Sequence, residues 1–114
     1  DIDACEFYDC FTYTVEATLR DYGFFKKEQV RDFITRERLA PGGSLPVNTS
    51  GGMLSEAYFM GLTPLAESFM QLTGRCGERQ LGRLAGTKEP ALIACSDNGA
   101  VFQGHAAMIL ERGE

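Results

Sequence analysis

Residues 46–61, PVNTSGGMLSEAYFMG, decide how the chain is organised. Pro46 to Thr49 reads as a brief extended stretch, and Gly51 and Gly52 supply a point where the backbone can turn sharply or approach another group closely. Beyond the turn, Leu65, Phe69 and Leu72 recur at helical spacing and Pro64 is tolerable in a first turn, so a helix is predicted over residues 62–72. An extended stretch, a glycine turn and a helix in that order form one step of a layered α/β arrangement. Within this step Asn48 is suited to orienting a carbonyl or a water, and Tyr58 presents a phenol near the start of the helix. The same residues also suit a plain Gly-Gly turn with Tyr58 and Phe59 as core aromatics.

Working outward toward the N-terminus, Ile2 to Phe7 is short, apolar and bounded by acids, which predicts a buried strand. Phe11, Val15, Leu19 and Tyr22 recur at three- and four-residue spacing and predict an amphipathic helix that Gly23 stops. Val30, Phe33 and Ile34 lie between charged residues and predict a second helix over residues 27–35. Residues 36–44 contain Pro41-Gly42-Gly43 and read as a surface loop. Toward the C-terminus, residues 84–90 read as a loop, and residues 91–95 and 106–110 as strands. Asp97-Asn98-Gly99 between those strands is a hairpin-turn signal. The predicted order is strand, helix, helix, strand, turn, helix, strand, strand, a mixed α/β fold in one domain over residues 1–114.

Composition narrows the function. A chain of 114 residues with 44% hydrophobic content is long enough for one ordinary core. Its net charge is −5, with 11 basic residues scattered among 16 acidic ones, which argues against tracking nucleic-acid phosphates. No apolar run approaches the roughly 20 residues needed to cross a bilayer, and no signal-peptide pattern opens the chain, so the reading is a soluble, cytoplasmic protein without membrane contact. The chain begins Asp1-Ile2-Asp3, without methionine, directly before a core strand, which reads as a fragment or processed piece.

Cys5, Cys10, Cys76 and Cys95 lack the paired spacing of a zinc site and lie in or beside apolar segments, which suits buried, reduced thiols. No metal site is expected. Cys10 stands where a strand ends and a helix begins, a place where ligands collect and a thiol is activated. A small apolar filler beside an Asp9 helix cap explains the same residues. Cys95, at a strand end before a glycine-containing turn, suits either a cleft or the core. His105, the only histidine, lies beside Gly104 without a nucleophile motif and reads as structural.

Two motifs in collinear order resemble the C-terminal part of thiolases, of the sterol-carrier-protein (lipid-transfer-protein) type, over essentially the whole chain. Where that type carries His-Asp-Cys-Phe, this chain has Tyr8-Asp9-Cys10-Phe11. Where it carries Asn-x-x-Gly-Gly-x-x-x-x-Gly-His-Pro, this chain has Asn48-Thr49-Ser50-Gly51-Gly52 through Ala57-Tyr58-Phe59. The family's final glycine-rich hairpin corresponds to residues 95–107. Both motif histidines have become tyrosines, a pattern that resembles the thiolase-like aldolases of steroid side-chain degradation.

The resemblance implies a mixed sheet with helices on both faces, of which this chain lacks the central strand, supplied by another chain or by a segment not represented. It implies action on acyl-CoA thioesters with no cofactor beyond coenzyme A as part of the substrate. Free phenol has a pKa of about 10, against an imidazole near neutrality, so the exchange removes a ready base for making a thiolate. A paired phenol can instead accept a proton from a hydroxyl or give one to an enolate, the two steps of retro-aldol cleavage of a β-hydroxyacyl-CoA. The implied catalytic residues are Tyr8 and Tyr58, with Cys10 in the pocket, and the implied substrate-binding residues are Asn48, Gly51, Gly52 and Cys95. A homo-oligomer and a partner combining a zinc ribbon with an OB-fold are further implications. An acetyl-CoA acyltransferase using Cys10, with or without Cys95, and a non-catalytic lipid or acyl-CoA-binding module, are the alternatives.

Overall fold

A computed structural model describes residues 1–59, 61–99 and 104–113. Its framework is a three-stranded sheet in the order β1-β2-β3, with β1 at Ala4–Phe7, β2 at Leu92–Gly99 and β3 at Gly104–Glu111. β1 and β2 pair directly and in parallel, from Ala4 opposite Ile93 to Phe7 opposite Ser96. β2 and β3 pair antiparallel, from Leu92 opposite Glu111 to Gly99 opposite Gly104. The helices are α1 at Thr12–Asp21, α2 at Val30–Phe33, α3 at Arg36–Leu39 and α4 at Leu62–Leu72.

Because successive strand residues point to opposite faces, β1 serves two cores. Cys5 and Phe7 join Ala94, and Leu19 of α1, with Phe25 and Leu45 closing this side. Ala4 and Ile93 meet Leu72 of α4, and Leu81, on the other. Helices therefore cover both faces. Phe7, Leu19 and Ile93 are fully buried, each stabilising the fold by about 1.5–3 kcal/mol relative to exposure.

Several elements differ from their predicted form. α1 has Phe11 as its N-cap residue without a side-chain cap, and Phe11 is exposed rather than part of the helix's apolar stripe. The Thr14 hydroxyl instead donates to the Phe11 carbonyl at 2.6 Å. The second predicted helix is a 3₁₀ turn over Lys27–Gln29 running into α2. The predicted loop opens with α3, where Leu39 packs on the core and the Arg38 guanidinium covers the Phe33 ring at 4.5 Å. The predicted hairpin residues Asp97, Asn98 and Gly99 belong to β2, because continuing the ladder to Gly104 pairs three more positions. The connection itself, residues 100–103, lies outside the described residues.

The predicted strand at residues 46–49 is reduced to one parallel bridge, Val47 with Cys5, on the side of β1 away from β2. Asn48 explains why. Its φ of 52° bends the chain out of the extended region, so the backbone cannot form a further rung. Its side-chain amide completes that rung, accepting from the Phe7 N–H at 2.7 Å and donating to the Phe7 carbonyl at 3.0 Å.

Candidate active site

The carboxyl end of β1 runs into Tyr8, and the segment after the glycine turn delivers Tyr58 to the same place. The two phenol oxygens are 2.8 Å apart, and the rings meet edge to face with centroids 6.4 Å apart. The environments differ: Tyr8 is 7% exposed and Tyr58 is 56% exposed. Tyr8's phenol is pushed up to about 12, first by its hydrogen bond to Tyr58, then by burial, and then by the charges of Tyr58, Cys10 and Asp97. Tyr8 therefore keeps its proton at neutral pH.

Asp9 anchors the glycine turn to this end of β1. Rather than capping α1, its Oδ1 accepts the Met53 N–H at 2.9 Å. Gly51 and Gly52 have φ values of 92° and 69°, and a Cβ on Gly52 would lie 1.9 Å from Asp9 Oδ2. Only glycine fits there. Gly51 and Gly52 thus shape the approach of residues 53–58, while both polar ends of the Asn48 amide are engaged by Phe7.

Cys10 is half-buried beside Tyr8, and Cys5, Cys76 and Cys95 are buried; all four are free thiols. Cys95 lies on the α4 side of β2, where burial raises its thiol against a lowering contribution from Ser68. It borders a cleft of about 280 Å³ between the start of α4 and the β2–β3 ladder, walled by Phe59, Leu62, Leu65 and Met108. Asp97 also lines this cleft. His105 is remote from it in role, its Nε2 lying 2.5 Å from the Tyr22 hydroxyl.

Beneath the turn is a polar network that the sequence reading missed. Thr49 Oγ1 lies 2.7 Å from Glu6 Oε1, 2.8 Å from Glu67 Oε1 and 3.0 Å from Gln71 Nε2. Arg79 pairs with Glu67 at 2.9 Å, and the Gln71 amide also bonds the Arg79 carbonyl and the Leu81 N–H. Burial pushes the Glu6 carboxyl up to about 8 against the hydrogen bonds from Thr49, with the charge of Glu67 adding to the rise. Burial opposes ionisation of Glu67 too, but Arg79, Thr49 and Gln71 hold it below its ordinary value. A hydroxyl carries one proton, so Thr49 can donate to only one of these carboxyls at a time, and Glu6, raised by burial, is the one disposed to hold a proton of its own. The available signal was Glu6 itself, an acid inside an otherwise apolar strand.

A mixed α/β domain with two tyrosines paired at the end of a parallel strand, reached by an Asn-x-x-Gly-Gly turn, is the architecture of a thiolase-type half-domain. The chain belongs to the thiolase C-terminal domain-like family, which it matches over residues 1–112. A steroid side-chain-cleaving aldolase of Thermomonospora curvata is 42% identical over 74 residues, 65% of this chain and 19% of the relative. A 17-hydroxy-3-oxo-4-pregnene-20-carboxyl-CoA lyase of Mycobacterium tuberculosis is 40% identical over 74 residues, with the same shares. Among solved structures, the Ltp2-ChsH2(DUF35) aldolase superposes with a TM-score of 0.80 at 30% identity, covering 98% of this chain and 27% of that one. The chain spans 19% of the length of these curated relatives.

Proposed function

We propose that this chain supplies the tyrosine pair of a thiolase-like aldolase that cleaves a β-hydroxyacyl-CoA by a retro-aldol reaction. The observation that carries this is the 2.8 Å contact between the Tyr8 and Tyr58 hydroxyls, at the positions where the resembling thiolases carry histidines. In the reaction the substrate hydroxyl loses its proton as its C–O bond becomes a carbonyl. The Cα–Cβ bond breaks, its electron pair enters the thioester as an enolate, and the α-carbon then takes up a proton. Tyr8 and Tyr58 serve as the acid/base pair: one phenol takes up the hydroxyl proton as its own proton crosses the 2.8 Å contact to the other, which gives its proton to the enolate, so both phenols end the reaction neutral. No acyl-cysteine is required, and coenzyme A enters only as part of the substrate.

The names of the relatives support a bulky, steroid-type acyl group. The work belongs to a larger assembly: the rest of a thiolase-like chain, a second copy, and a partner with an OB-fold and a zinc ribbon, in the cytoplasm. The chain by itself is inactive in this reading. In the complete enzyme, Tyr8→Phe and Tyr58→Phe should each lower ketone release from a β-hydroxyacyl-CoA by about 100-fold or more. Undiminished turnover in both variants rejects the assignment.

A further inference from the structure

Two phenols pass a proton between them only while their oxygens stay within hydrogen-bond reach, so the tyrosine pair places a demand on the backbone that carries it. The sheet meets that demand for Tyr8, which is buried and whose N–H donates to the Ser96 carbonyl at 3.1 Å. Tyr58 lies outside any strand or helix, in a run where residues 54–59 are all exposed. The Ser55 and Glu56 N–H groups bond the Gly52 carbonyl at 3.1 and 3.2 Å, which ties this run to its own turn. Its placement against Tyr8 must come from side chains beyond it.

Two such side chains grip its ends. Before Tyr58, Asp9 Oδ1 accepts the Met53 N–H at 2.9 Å. Asp9 follows Tyr8 directly in the chain, so one stretch of backbone carries the first phenol and the grip on the segment that carries the second. After Tyr58, the buried Thr63 hydroxyl in the first turn of α4 accepts the Phe59 N–H at 3.4 Å and donates to the Ala57 carbonyl at 3.3 Å. Those two groups belong to the peptide units on either side of Tyr58. A hydroxyl has one proton to give and lone pairs to receive, so a single Thr63 side chain makes both bonds at once.

We propose that Asp9 and Thr63 are the positioning residues of the tyrosine pair: they clamp the two ends of residues 53–59 and thereby set the distance between the Tyr8 and Tyr58 hydroxyls. This rests on the tyrosine-pair reading above. Neither residue takes part in the proton transfers. Asp9 fixes where the segment leaves the glycine turn, and Thr63 fixes the two peptide planes between which the Tyr58 side chain projects. Without either grip the exposed phenol can swing away from Tyr8, and a displacement of about 1 Å is enough to break a 2.8 Å contact.

The test uses the complete enzyme with Asp9→Ala and Thr63→Val, each made alone and together with Tyr58→Phe, assayed for kcat and KM on a steroid β-hydroxyacyl-CoA. With both tyrosines present, each substitution should lower kcat by about 10-fold or more while KM stays within about threefold. With Tyr58→Phe there is no second hydroxyl to place, and each should change kcat by less than about threefold. Asp9→Asn, which keeps an accepting oxygen, and Thr63→Ser, which keeps the hydroxyl, should recover most of the lost kcat. A merely structural residue costs as much beside Tyr58→Phe as beside Tyr58. Equal losses in the two backgrounds, a loss below about threefold with both tyrosines present, or no recovery in the conservative variant overturns the assignment of that residue and leaves the tyrosine pair standing. An Asp9→Ala enzyme that does not fold overturns the assignment of Asp9, and Thr63→Val, which keeps the side chain's shape, then decides the other grip alone. Undiminished turnover in Tyr58→Phe by itself defeats the tyrosine-pair reading, and the clamp falls with it.

Discussion

The two faces of the sheet differ in chemistry, although β1 contributes to both: one is apolar, and the other joins the apolar cluster of Ala4, Ile93, Leu72 and Leu81 to a polar network. Toward α1, Cys5 and Phe7 meet Leu19, Phe25, Leu45 and Ala94 in a dry core. Toward α4, the intervening Glu6 meets Thr49, and through it Glu67 and Gln71. A dry face needs only area and shape, and tolerates repacking. A polar face needs every donor and acceptor matched, and it fixes its members in one arrangement when they are. The matched face is the one that carries the glycine turn, the start of α4 and Cys95. The polar network thus lies beneath the turn that leads to Tyr58.

This difference also explains which way α4 faces. Its buried residues include Glu67, Ser68 and Gln71, while Phe69 is 53% exposed. Together with Leu62, Leu65 and Leu110, Phe69 borders an open groove of about 1190 Å³ between α4 and the end of β3. The apolar spacing that predicts the helix therefore marks its outer side, and only Leu72 of the predicted stripe joins the core.

Substitutions on the two faces should separate the chemistries. Leu19→Ala, on the dry side, removes a fully buried side chain and should destabilise by about 4 kcal/mol in urea unfolding. Its effect should be the same at pH 5 and pH 8, because burial raises the Cys5 thiol and the Tyr22 phenol of the same cluster, which keep their protons across that range. Glu67→Ala strands Arg79 and removes an acceptor from Thr49 and Gln71. Arg79 is 40% exposed and can turn to water, so the expected loss is about 3 kcal/mol, the lower end for a buried pair. A pH-dependent loss in Leu19→Ala, or none at all in Glu67→Ala, would break the contrast.

The legible parts of the molecule were those governed by local periodicity and by motifs. α4 runs over the predicted residues, β1 lies within its predicted span, and α1 ends before Gly23 as expected. The proximity of Tyr8 and Tyr58 was legible through the two collinear motifs, since 50 residues separate them in sequence. Long-range satisfaction of polar groups was illegible. Nothing local indicates that Asn48 will imitate a strand rung, that Asp9 will hold the Met53 N–H instead of capping α1, or that Glu6 will share a hydroxyl with Glu67. Each is decided by a partner more than 40 residues away or by a shared neighbour. Asp97 was read as a turn residue for the same reason: its place in β2 depends on a ladder that continues past it and on the space left by Gly61.

The pH dependence of stability is the effect most selective for the polar face. Glu6 has an ordinary value of 4.5, and its folded-state value is raised to about 8. Between those two pH values the folded protein holds a proton on Glu6 that the unfolded chain has released. Stability contributed by this group is therefore complete below pH 4.5, declines as pH rises, and levels off above about 8, with a slope of up to about 1.4 kcal/mol per pH unit. Glu67 runs the other way, since its lowered value makes its contribution complete above 4.5 and lost as pH falls below that. The two groups together place the polar face's greatest stability near pH 5. Urea unfolding from pH 4 to pH 9 should show a maximum there and a fall toward pH 8, and Glu6→Gln should flatten the alkaline side while leaving the acid side in place. A profile whose alkaline side is already flat in the wild type would mean that Glu6 is ionised in the fold, and that Thr49 donates to it and not to Glu67.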